Sequence, residues 1–285
     1  EEIVFSCHLD HPKPGANDNA SGCSTILEVA RTLQKLIDEG ALARPARTLR
    51  FIWPPEIEGT LALLNGRPDL AGRIRAVVHM DMVGGGPQTQ AVFHVTRGAA
   101  SLPSFVHDVA WSLAQWVNQQ SYAYAATGST AFPMLAAAGG KAPLRAEPTR
   151  FTMGSDQQVY QDASFAIPAV YLNDWPDRYI HTTLDSVANI DPTKLERVAF
   201  IGAATGYALA GDARLNAGTP RAAPEMAAGP RAGGDGMLVF RRKPTLRGPM
   251  GAFGYDYFDD HAKRAGVASP KLLAYTGREG SGGDY

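Results

Sequence analysis

The sequence predicts an α/β chain on a mainly parallel sheet, and three observations carry that expectation. Short apolar runs of strand length alternate with segments of helical period. Ile74 to Met80 is a nearly continuous apolar run, as a strand buried on both faces requires. The strand candidates close on Asp, Pro or Gly, which punctuate an element and deliver a polar side chain at its end. With 285 residues, 45% of them hydrophobic, the chain can bury a sizeable core.

In order, Ile3 to His8 reads as a strand and Asp18 to Gly22 as a polar turn. From Ser21 to Glu39 the residues Ile26, Val29, Leu33, Leu36 and Ile37 recur at helical spacing, with Gly40 as a stop. Thr48 to Trp53 is a second strand, ended by Pro54 and Pro55 because proline donates no hydrogen bond to a ladder. Thr60 to Asn65 is helical, Ile74 to Met80 the buried strand, Ala91 to Thr96 another strand and Ser101 to Gln119 a helix. Residues 121–150, rich in Ala, Gly and Pro, read as irregular and as a candidate lid. Ala166 to Asn173 is the last strand, and Asp191 to Ala210 a helix capped by Asp191 with Pro192 behind it. These elements set a domain over residues 1–210, followed by a linker at 211–236 and a peripheral segment at 237–285 with an aromatic cluster, part of a further lobe. The abrupt start at Glu1 reads as a trimmed one, so the compartment is left open.

A net charge of -1 gives no electrostatic footprint for nucleic acid, and no apolar run is long enough to span a bilayer. A peptide or small amide is the easier substrate, and the oligomeric state is open. Cys7 and Cys23 are too few for a disulfide framework and read as small buried residues. No Gly-x-Ser-x-Gly elbow supports a serine hydrolase.

The chemistry lies in four segments that place hard or borderline ligands at strand ends: His8-Leu9-Asp10, Gly15 to Gly22 around Asp18, His79-Met80-Asp81, and Tyr179-Ile180-His181. Imidazole with carboxylate suits zinc, and the lack of paired cysteines argues for a catalytic site. One carboxylate can bridge two cations, which allows a two-metal site.

These segments resemble the co-catalytic zinc exopeptidase family that includes bacterial leucyl aminopeptidases, aminopeptidase S and the glutamate carboxypeptidases. The resemblance covers roughly residues 1–210 and is most specific at Gly15 to Gly22 and Tyr179 to Asp185. It implies a three-layer αβα fold with a central mixed, mostly parallel sheet. It further implies that His8 and His181 each bind one zinc, that Asp18 bridges both and that Asp81 completes the metal of His181. Asp10 would accept the other ring N–H of His8 and fix its tautomer. The activity implied is hydrolysis of a terminal peptide bond by a zinc-activated water with Glu56 as general base.

Two departures qualify that picture. The family shows adjacent glutamates before a spacer and a glycine, the first a proton shuttle and the second a ligand. Here Glu56 takes the first position and Ile57 the second. Zinc would then number two ions or one, and Glu56 or Glu58, about 7 Å apart on one side of a strand, would supply the missing ligand. Some relatives also carry a tyrosine just before the last histidine, where this chain has Ile180, so the oxyanion donor is unassigned. Asp156 reads as a pocket residue for a substrate amine or as a helix cap, and Arg178 as a candidate for a substrate carboxylate. The competing readings are a degenerate relative that keeps the fold as a binding module and, on the same scaffold, a glutaminyl cyclase.

Overall fold

The structure is a computed structural model that describes residues 1–211. Its elements follow in the order β1 (Glu2–Ser6), α1 (Gly22–Asp38), β2 (Thr48–Ile52), α2 (Glu58–Gly66), α3 (Pro68–Ala71), β3 (Ile74–Asp81), β4 (Phe93–Thr96), α4 (Val106–Thr127), β5 (Ala146–Thr149), α5 (Gln157–Gln161), β6 (Ala169–Asp174) and α6 (Pro192–Gly211). The linker and peripheral segment expected beyond 211 lie outside the described residues.

The sheet runs β2-β1-β3-β6-β4-β5. Every neighbouring pair is parallel except β4 with β6, so the sheet is mixed and mostly parallel. Side chains alternate across it as the period of two demands. Ile3, Phe5, Ala76, Val78 and Met80 face one side, where Ile26 and Val29 of α1, Val106 and Ala110 of α4 and Val198 and Ile201 of α6 cover them. Val4, Val77 and Ala169 face the other, under Leu64, Leu70, Val159 and Tyr160. Helices therefore cover both faces in three layers. Gly206 lets α6 lie close on β1, because a Cβ there would enter the Phe5 ring.

Three expectations are corrected. The fourth helix begins at Val106, not Ser101, and continues through the Ala-rich stretch to Thr127, where Gly128 closes it at φ 76°. The supposedly irregular 121–150 segment also holds β5, among the described residues an edge strand paired to β4 alone, the position in which Pro148 is tolerated. Residues 56–58 are not a strand: after Pro54 and Pro55 the chain turns at Ile57 (φ 57°), and Glu58 opens α2. Among the described residues no helix is long and apolar enough to cross a membrane.

Candidate metal centre

His8 sits two residues past the end of β1, and Asp81 is the last residue of β3, its immediate neighbour. The parallel register Ser6↔His79 therefore brings both side chains to one end of the sheet. Asp18 comes from the wide turn Ala16–Ser21, which is tied down on all sides. Asp185 accepts the main-chain N–H groups of Asn17 (2.6 Å) and Asp18 (3.0 Å). The Asn17 side chain accepts from Gly84 N, the Asn19 side chain from Met82 N, and Ser21 Oγ from Val83 N, so the turn is stitched to the loop after β3. Gly22 completes the fit, since a Cβ there would collide with the Met80 carbonyl and the Asn19 side chain.

Asp18 is the centre of the arrangement. Its Oδ1 lies 3.1 Å from His8 Nε2, and its Oδ2 lies 3.1 Å from His181 Nε2 and 3.3 Å from His11 Nε2. Asp81 Oδ1 is 3.3 Å from His8 Nε2. Two donor groups result, His8 with Glu56 and Asp81, and His11 with Asp18 and His181; within each group the ligand atoms lie inside 4.8 Å of one another. Asp81 thus stands with His8 and not with His181: β3 lies between β1 and β6, but His8 follows directly on the end of β1 whereas His181 lies well out on the loop after β6.

The tautomers are legible from the outer ring nitrogens. A carbonyl can only accept, so His8 Nδ1 donates to the Asp10 main-chain oxygen (2.9 Å) and His11 Nδ1 to that of Lys13 (2.6 Å). Both Nε2 atoms therefore face Asp18 and are the nitrogens that would turn to a metal; without one, His8 Nε2 carries a proton toward the carboxylates. It is the main chain of Asp10 that orients His8. Its carboxylate, 3.7 Å from Nδ1, instead accepts the Glu56 N–H at 2.7 Å.

The electrostatics match a cation site. Burial alone would lower the His8 pKa, but its bonds to Asp18 and Asp81 prevail and push it up to about 12. A proton held among carboxylates occupies the place a cation would take. For Asp81 burial works upward, and the bond and charge of His8 hold the carboxyl below its ordinary value. Burial pushes Glu56 up to about 7, with Asp81 and Asp156 reinforcing the rise. The donor set, two or more imidazole nitrogens with shared carboxylate oxygen, fits zinc.

The remaining candidates fall elsewhere. Glu58 is exposed at the start of α2 and belongs to neither donor group. Asp156 is completely buried and caps no helix with its side chain. It accepts the Ile57 N–H at 2.5 Å, fixing the turn that presents Glu56. Arg178 is exposed, its guanidinium 4.9 Å from the centre of the Tyr179 ring. Ile57 packs against the core beneath α2. Sequence reasoning missed His11. The signal was there in His8-Leu9-Asp10-His11, a second imidazole three residues after the first and just before Pro12.

The sequence profile described as Peptidase family M28 matches residues 1–205. The chain belongs to peptidase family M28. No curated protein matches it. Among solved structures, the M28 chain is similar to a zinc aminopeptidase from Bacillus subtilis (20% identity, TM-score 0.52, 73% of this chain and 46% of that one). It is also similar to the LapA aminopeptidase of Legionella pneumophila (21%, 0.50, 74% and 52%) and to an aminopeptidase from Aneurinibacillus sp. strain AM-1 (22%, 0.51, 74% and 43%). At these identities the likeness is one of fold, and the M28 chain spans about half the length of each of these structures.

Proposed function

We propose that this chain is a zinc-dependent aminopeptidase that hydrolyses a terminal peptide bond of a peptide or small amide. The observation that carries the reading is the convergence of His8 and His181 on opposite oxygens of one buried carboxylate, Asp18, with Glu56 alongside. Membership in a peptidase family and the likeness to aminopeptidases support it.

His8, Asp18, Asp81 and His181 would hold the metal, two ions in the full form. Bound zinc supplies Lewis-acid polarisation of the scissile carbonyl and activation of a water. Glu56 would take a proton from the attacking water and return it to the leaving amine. Asp10 and Asp156 act by positioning: one takes the Glu56 N–H and the other the Ile57 N–H, so the carboxylate is presented from a turn fixed at two successive amides. Arg178 stands in the open, available to a substrate's carboxylate, whereas Asp156 is closed off from a substrate amine.

Glu56→Gln tests the assignment. It is expected to lower kcat/KM on an aminoacyl chromogenic substrate by about 10²–10⁴-fold with zinc content unchanged. Full activity in that variant removes Glu56 from its role. Hydrolysis of N-acylated peptides in preference to free-amine substrates would overturn the aminopeptidase reading, and zinc binding with no hydrolysis of either would favour the binding module.

A further inference from the structure

We infer that His11 is the ligand that replaces the carboxylate missing at Ile57, so that the outer cation is held by His11, Asp18 and His181. This rests on the metallopeptidase reading above and adds to it a residue and a ligand set.

Three independent features of His11 point the same way. Its Nε2 lies 3.3 Å from Asp18 Oδ2, the oxygen that also faces His181 Nε2, and the two imidazole rings are 5.8 Å apart and tilted by 40°. That nitrogen is buried yet has no hydrogen-bond partner, so the carboxylate contact lacks the geometry of a hydrogen bond. A buried polar atom left in this state is costly, and a cation between the three side chains would satisfy it. The third feature is the ring's other nitrogen. Its contact with the Lys13 carbonyl at 2.6 Å is far shorter than the competing one from the Lys13 N–H at 3.4 Å, so Nδ1 carries the proton and Nε2 is the ligating nitrogen.

The alternative suppliers are turned away. Ile57 packs into the core and Glu58 is exposed on α2. With His11 counted, each cation has three protein ligands: His8, Asp18 and Asp81 for the inner one, and His11, Asp18 and His181 for the outer. Three protein ligands with an open position is the pattern of catalytic zinc. Glu56 is then not needed as a ligand and is left free for proton transfer. The exchange of a carboxylate for a neutral imidazole also removes one negative charge from the outer site, which leaves the inner site to fill first.

The test counts zinc per chain in the full-length protein after equilibration at fixed free zinc, and follows the visible absorption of the cobalt-substituted form. His11→Ala is expected to reduce bound zinc from about two to about one and to remove one component of the cobalt spectrum. His11→Gln, which keeps a polar side chain in the turn, should do the same, with melting in chelator equal to wild type as the check on folding. Unchanged stoichiometry and an unchanged cobalt spectrum in both variants would overturn the role of His11 while leaving the metallopeptidase reading intact. A wild-type chain that binds no zinc would overturn that reading and this one together.

Discussion

The two halves of the donor cluster are built on different supports. On the inner side, His8 and Asp81 come from adjacent parallel strands and are 2% and 5% exposed. On the outer side, the His181 side chain is 72% exposed, on a loop where its own φ is +59°, and His11 sits in a Pro-flanked loop. Strand register fixes the inner half before any cation arrives, so binding there spends little on ordering. The outer half depends on two loops meeting over one oxygen of Asp18, so a cation bound there would have to hold them together.

Asp18→Asn breaks the comparison at the one residue both halves share. It is expected to deplete both cations and lower kcat/KM by roughly 10³-fold, the scale of losing the cation that would stabilise developing charge. Elemental analysis beside a peptidase assay reads both effects. Retention of one full equivalent of zinc would show that the halves are not joined through Asp18.

Asp185→Asn acts on the support alone. Asp185 holds the Asn17 and Asp18 amides but touches no imidazole in either group, so zinc affinity should fall by about 10–100-fold with the fold retained. Competition with a chromogenic chelator measures it. A loss confined to one equivalent would mean that the turn supports one half only.

The third expectation sharpens the inner half. In metal-free protein His8 is held protonated up to about pH 12 by Asp18 and Asp81, so a cation entering near neutral pH must displace that proton. Calorimetry in two buffers of different ionisation enthalpy is expected to show about one proton released for the first zinc, and an affinity that rises with pH. Zinc uptake without proton release would contradict a His8 held between two carboxylates.

The smallest effect concerns the chelated protein alone. Glu56 is raised in the folded chain from an ordinary 4.5 to about 7. The stability this proton contributes is fully present below the unfolded value and is lost as pH rises through the folded one. Glu56→Gln should therefore melt a few degrees higher than wild type at pH 8, with little difference at pH 4. Because Glu56 is only half-buried, solvent screening keeps the effect modest. Equal melting of the two proteins at pH 8 would remove the strain from the inner half.

The sequence by itself determined the α/β class and the ends from which the ligands come. Both rest on local patterns: apolar runs in alternation with helical periodicity, each followed by a polar residue or a glycine. The Gly15 to Gly22 turn was legible for the same reason, since Asn17, Asn19 and Ser21 make the bonds that lock it to the loop after β3. What only the tertiary structure decided was pairing. The β1–β3 register, with His8 directly after β1, put Asp81 beside it, which no count along the chain could supply. The turn at Ile57, fixed by Asp156 from 99 residues away, sent Glu56 toward His8 and Glu58 away from it. His11 is the sharpest case: its residue type and spacing were visible in the sequence, but its partner, a histidine at 181 on another loop, became a neighbour only when the loops after β1 and β6 met at one end of the sheet.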